Sequence, residues 1–147
     1  MKILVLSPKP PWPPHDGGAV ATMRCIEGLA AGGALISLLT MRTEKHDSHP
    51  GISGQPSAYL QHYETVTADT RVRPAKMLAN LLFSREPYDL RRFRVKKYSN
   101  ALHSLLTEDH FDIIQCEGLL FSYYFDEIRS MTASPIVLRA HNVEHRI

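Results

Sequence analysis

The sequence predicts an α/β fold, a three-layer sandwich around a parallel sheet of at least five strands in the order 3-2-1-4-5. Three observations carry that expectation. Short, wholly apolar runs recur along the chain, as in strands buried on both faces. Helical patterns separate them, and such alternation implies helices packed on both sides of a parallel sheet. The first strand, helix and second strand form a β-loop-α-β unit, whose crossover is right-handed.

The elements follow in order. Ile3 to Leu6 is the first apolar run, ended by Ser7-Pro8. Five prolines between Pro8 and His15 then stiffen a loop and forbid helix or ladder pairing. Asp16 is placed to cap a helix that carries Ala19, Met23, Ile26 and Ala30 on one face, and Gly32-Gly33 supplies a left-handed stop. Ala34 to Thr40 is the second strand. Residues 43–58 are polar and read as a loop, with a short helix into Leu60 as the alternative, and Tyr63 to Thr67 is a weaker third strand. Arg73 to Phe83 and Asp89 to Thr107 read as helices, the second turning Leu102, Leu105 and Leu106 inward. Asp112 to Cys116 is the fourth strand, Leu119 to Arg129 a helix, and Pro135 to Ala140 the fifth strand.

Composition narrows the function classes. A chain of 147 residues, 44% hydrophobic and 22% charged, has the size and make-up of one globular domain, here residues 1–147. Two cysteines, Cys25 and Cys116, are too few for a disulfide scaffold and read as buried, reduced thiols in a cytoplasmic protein. No apolar run approaches the ~20 residues that span a bilayer. The net charge of +2 does not mark a nucleic-acid binder, but it hides a segregation. Arg71 to Lys97 holds nine basic and two acidic residues, a local +7 that leaves −5 for the rest. Its densest part, Arg91 to Lys97, reads as a solvated helix face or as a patch drawn to anionic lipid or a phosphate-bearing acceptor. It lacks the interleaved aromatics that nucleic-acid stacking uses.

In doubly wound sheets, ligands bind beyond the carboxyl ends of the strands, where the winding reverses. Here that point lies between the first and fourth strands, and the chemically distinctive residues gather on that edge. Gly17-Gly18 opens a helix, where bare amides and the helix dipole can hold a phosphate; the same pair also fits a purely capping role. Ten residues separate the first strand from Gly17, and no acidic residue ends the second strand, which disfavours a nicotinamide dinucleotide site. Glu117-Gly118 ends the fourth strand, where the carboxylate can accept from a sugar hydroxyl or be an ordinary surface group. His141 follows the fifth strand, placed to hydrogen-bond a sugar hydroxyl or a developing charge, or to cap the next helix with Asn142 and Glu144. His141 to His145 also fits an inverted zinc-peptidase pattern, but that needs both histidines on one helix, and His141 ends a strand.

Taken together, the opening apolar strand with Ser7-Pro8, the proline-rich loop, Asp16-Gly17-Gly18 and the helix carrying Arg24 resemble the start of bacterial glycosyltransferases of family four. Phe111 to Glu117 and Val137 to Glu144 resemble later strand motifs of the same amino-terminal domain, so the resemblance covers essentially the whole chain. It implies a Rossmann-like domain of the two-domain GT-B architecture. It also implies retaining transfer of a sugar from a nucleotide-sugar, without metal or other cofactor, to a polysaccharide or lipid-linked acceptor; a peripheral place on the inner face of the membrane is an expectation from the +7 segment alone. By that resemblance, Gly17 and Gly18 face the donor diphosphate and His141 meets the donor sugar near the reacting centre. Glu117, Gly118, Asn142 and Glu144 fall to the acceptor side, and Arg91 to Lys97 to acceptor or membrane. The family's second domain, with its paired glutamates, is absent from these residues, so the expectation is a domain inactive alone. The competing expectation is a stand-alone, non-catalytic module that binds phosphate or nucleotide at Gly17-Gly18. An epimerase-type enzyme is disfavoured by the missing dinucleotide fingerprint.

Overall fold

The structure, a computed structural model, describes residues 1–43, 58–69 and 93–140. Five strands, β1 (Lys2–Ser7), β2 (Leu35–Arg42), β3 (His62–Thr67), β4 (Ile113–Glu117) and β5 (Ile136–Arg139), form one sheet in the order β3-β2-β1-β4-β5. All four neighbouring pairs are parallel. The fold is therefore the α/β, Rossmann-like sheet with the strand order that the sequence predicts. The central strand, β1, sets Ile3 beside Ile36 on one side and Ile113 on the other. Residues that the periodicity assigned to a helix over 73–83, and the first part of the helix expected from Asp89, lie outside the described residues.

Alternation along the strands sends apolar side chains to both faces. On one face Ile3, Val5, Ile36 and Leu38 cluster with Ile26 of α1 (Gly17–Ala31). On the other, Leu4, Leu6, Leu39, Met41, Ile114 and Cys116 cluster with Tyr98, Leu102 and Leu105 of α2 (Lys96–Glu108). Phe121 and Tyr124, from a 3-10 turn at Leu119–Tyr124, and Ile128 of α3 (Phe125–Met131) complete that second cluster. Tyr98 is central to it. Its ring lies 5.7 Å from Phe121 and 5.0 Å from Tyr124, and its buried hydroxyl donates to the Leu39 carbonyl at 3.2 Å.

Local chemistry fixes the ends of α1. The Asp16 carboxylate accepts the Ala19 N–H at 2.9 Å, satisfying a donor that the first turn leaves unpaired. At the other end Gly33 adopts φ +83°, and its N–H donates to the Ala30 carbonyl at 2.9 Å. The deepest face of the helix is Ala19, Thr22 and Ile26, whereas Met23 and Ala30 are only half-buried. Thr22 displaces Met23 because its hydroxyl donates to the buried Glu117 carboxylate beneath it.

Two helices depart from the sequence reading. The helix expected from Asp89 to Thr107 is found in the described residues only from Lys96, because Phe93 to Val95 is pinned in front of it. The Tyr124 hydroxyl accepts the Val95 N–H at 3.0 Å and donates to the Phe93 carbonyl at 2.8 Å. The stretch expected as one helix from Leu119 to Arg129 is a 3-10 turn followed by α3. Tighter winding there eclipses residues three apart, and so drives Phe121 and Tyr124 together into the core.

Both cysteines are free thiols, and only one matches the expectation of burial: Cys116 is enclosed, whereas Cys25 is half-exposed. Burial, followed by the neighbouring Glu117 charge, pushes the Cys116 thiol up to about 12. Since only thiolates react readily, native protein at pH 8 is expected to give one thiol per chain with an aromatic disulfide reagent, and two in denaturant. Two rapidly reacting native thiols would contradict this packing.

Candidate functional site

The strands change character at their carboxyl ends. On the α1 face the terminal positions are polar across the sheet: Thr65 beside Thr40, Thr40 beside Ser7, and Glu117 beside Arg139. The register of β1 with β4 places Leu6 beside Cys116, so Ser7 and Glu117 are the next positions along. Thr40, Ser7 and Glu117 are all buried. Such a row needs internal partners, because an unpaired polar group in the interior costs about 1–3 kcal/mol. Thr40 and Thr65 share a hydroxyl bond of 3.1 Å, and the Ser7 hydroxyl donates to the Lys9 carbonyl at 2.7 Å.

Glu117 is the most demanding member. Its side chain has 0% exposure. Among the described residues three elements answer it: the Thr22 hydroxyl of α1 donates to Oε2 at 2.9 Å, the Gln115 amide of β4 to Oε1 at 2.6 Å, and Arg139 Nη1 of β5 to Oε2 at 2.7 Å. Arg139 Nη2 also donates to the Ala21 carbonyl of α1 at 3.2 Å. The alternative of an ordinary surface glutamate thus does not hold, and the carboxylate sits inside the edge. Gly118, next along, has φ +96°, a conformation that favours glycine, and its N–H donates to the Arg139 carbonyl at 3.0 Å.

Gly17 and Gly18 lie on the same edge, at the start of α1. A Cβ added at Gly17 would meet nothing within 4 Å, and neither glycine has positive φ. At Gly18 an added Cβ would come within 3.2 Å of Lys9 Nζ and 3.3 Å of the Asp16 carboxylate. Lys9 and Asp16 form an ion pair over this turn. Lys9, followed by the Ala19 N–H, holds the Asp16 carboxyl below its usual value.

The structure therefore brings Gly17, Gly18, Glu117 and Gly118 to one edge, as the sequence predicts. His141, Asn142 and Glu144 lie outside the described residues, as do Arg91 and Arg92 of the basic stretch; Arg94, Lys96 and Lys97 are exposed. Sequence reasoning missed Arg139, Thr22 and Gln115 as members. Gln115 and Glu117, two apart in a strand buried on both faces, were the available signal, because a carboxylate on a buried face calls for a cation. At the opposite edge an open cleft of about 310 Å³ lies between the ends of α2 and α3, lined in part by Thr107, Asp109, His110 and Met131. Its Asp109 is already paired with Lys2 at 2.6 Å.

In comparisons with known proteins, no family model and no curated protein matches the chain. Among the described residues no helix is long and apolar enough to cross a membrane.

Removing the cation strands a wholly enclosed carboxylate, so Arg139→Met is expected to cost about 3 kcal/mol in urea unfolding. Glu117→Leu combined with Arg139→Met is expected to recover much of that loss; simple additivity would argue against a coupled pair. Asp16→Ala is expected to cost about 1 kcal/mol through the lost cap. A depressed carboxyl stabilises above its unfolded pKa and loses that contribution as pH falls through the folded value. The stability gap between wild type and Asp16→Asn is therefore expected to be constant from neutral pH down to about pH 5 and to close below it. A gap that widens in acid would reverse the assignment.

Proposed function

We propose that this chain is the acceptor-side domain of a retaining glycosyltransferase, one that moves a sugar from a nucleotide-sugar to a polysaccharide or lipid-linked acceptor. The observation that supports it is the glycine pair at the carboxyl edge. Nothing in the fold calls for glycine at Gly17: its φ is not left-handed, and an added Cβ would meet nothing within 4 Å. A missing side chain that packing and backbone do not need fits a place where a ligand comes close. In this reading the first turn of α1 receives the donor diphosphate, with Lys9 beside it as a cation. His141 meets the donor sugar, and Gly118, Asn142 and Glu144 face the acceptor. The enclosed Glu117 keeps the edge in shape rather than touching sugar directly. Arg94, Lys96 and Lys97 contribute to a basic surface for an anionic acceptor or membrane.

A second reading, a non-catalytic phosphate- or nucleotide-binding module, is favoured by a different observation. Two carboxylates on this edge, Asp16 and Glu117, are engaged with Lys9 and Arg139, as suits binding more than proton transfer.

Calorimetry with a panel of uridine and guanosine diphosphate sugars separates the readings. Gly17→Ala is expected to leave stability unchanged or raise it by about 0.5 kcal/mol, since alanine restricts the unfolded chain. It is also expected to weaken nucleotide-sugar binding about tenfold or more, the cost of crowding a close backbone approach. Equal affinity for the two proteins would remove the glycine pair from the site. Tight binding by this chain alone, with no sugar transfer when it is joined to a donor-binding domain, would favour the second reading. In a transfer-competent protein, His141→Ala is expected to lower kcat with little change in acceptor KM.

A further inference from the structure

We infer that Arg139 is a binding residue for an oxyanion at the carboxyl edge of β4 and β5, held in position by the buried Glu117. The side chain is 31% exposed while its partner is wholly enclosed, so the ion pair runs from the interior out to the surface. A guanidinium carries five N–H donors in a rigid plane. One donates to Glu117 and one to the Ala21 carbonyl. The other three have no partner among the described residues.

Two anchors at separate nitrogens fix the plane as well as the position. A guanidinium fixed in this way loses little freedom when it pairs with a second group, which is how an outer carboxylate prepares an arginine for recognition. Stability alone does not account for the arrangement, because a well-packed apolar pair in the same place is commonly as stable as a buried ion pair. There is room for a ligand as well. Gly118, whose N–H is bonded to the Arg139 carbonyl, has open space where a Cβ would be. The site also stands beside β1 and β4, where the sheet reverses its winding and where α/β proteins bind ligands.

The ligand chemistry follows from the fork. Parallel N–H donors match the oxygens of a phosphate or a carboxylate, two sources of one oxyanion contact. This inference deepens the proposed sugar-transfer reading, and it rests on that reading only for which molecule carries the oxyanion.

The test uses the 147-residue chain labelled with 15N, titrated at constant ionic strength with inorganic pyrophosphate in one arm and glucuronate in the other. The Arg139 Nε–H resonance, identified by its loss in Arg139→Lys, is expected to shift saturably in at least one arm, and the arm that saturates at lower concentration names the source. Arg139→Lys keeps the charge but loses the fork, and is expected to weaken that binding about tenfold. Shifts in neither arm would overturn the inference. So would a variant with lower melting temperature but unchanged affinity, which is the mark of a structural role. Pyrophosphate and glucuronate that each bind wild type and Arg139→Lys equally would also sink it, while leaving the sugar-transfer reading intact. Conversely, an Arg139 resonance that responds to these anions in a protein that binds no nucleotide-sugar would end that reading and keep this one.

Discussion

A carboxylate with no exposed surface constrains everything around it. Removing an ion of that kind from water costs several kcal/mol even after relaxation, and the cost is offset only when its oxygens are met by well-placed donors. Glu117 draws those donors from α1, β4 and β5 at once. Thr22 must therefore face β4, and the rotation of α1 about its own axis follows. With Thr22 in place, Cys25 comes over Gln115, whose amide lies 3.5 Å from the thiol sulfur. Gly17 and Gly18, one turn earlier, come to the edge beside the strand ends. The bond from Arg139 to the Ala21 carbonyl closes the arrangement, joining the last residue of β5 to the body of the helix. The same charge reaches the neighbouring residue, where it adds to burial in keeping Cys116 protonated.

The two faces of the sheet consequently do different work. The face under α2 and α3 is apolar and aromatic, with Tyr98, Phe121 and Tyr124 in mutual contact. Its polar atoms serve the chain itself: the Tyr124 hydroxyl holds Phe93 and Val95, and that of Tyr98 holds Leu39. The face under α1 is apolar over β1, β2 and the start of β4 and becomes polar toward the carboxyl edge. A hydrophobic face gains little from geometry beyond packing, whereas a polar layer holds only if each partner keeps its angle. The edge proposed to meet ligand is thus the one whose positions are set by directional bonds.

How much of this was legible in the sequence depends on how local the cause is. Ile3 to Leu6 announced a strand because its apolar run is contiguous, and the order of the sheet followed from alternation and handedness. Asp16 and Gly33 announced the ends of α1 because capping acts within a few residues. The start of α2 was not legible, since the group that holds Val95 extended is Tyr124, 29 residues away. Glu117 was singled out for its place at a strand end, but its partner Arg139 lies 22 residues on and in the next strand. Only the register of β4 with β5 puts the two side by side. The pattern did contain the clue: Gln115 and Glu117 share one face of a strand that a parallel sheet buries on both sides.

The glycines show the difference between what a fold needs and what a site leaves open. Gly33 and Gly118 have positive φ, and a side chain at either would be strained. Gly17 carries no such requirement, and at Gly18 the nearest obstacle is the side-chain end of Lys9. That lysine is held by Asp16, and Asp16 in turn takes the Ala19 N–H, so the positive end of α1 already has an anion over it. A phosphate arriving there does not fill a bare pocket. It exchanges with a carboxylate for the same lysine and the same helix end, and gains only the difference between the two sets of contacts. Such an exchange has little net affinity unless a further donor enters on the ligand's side alone. Arg139, anchored to Glu117 and to the Ala21 carbonyl with further N–H donors left over, is proposed as such a donor, and in that reading the strand end adds to the glycine turn what the turn lacks.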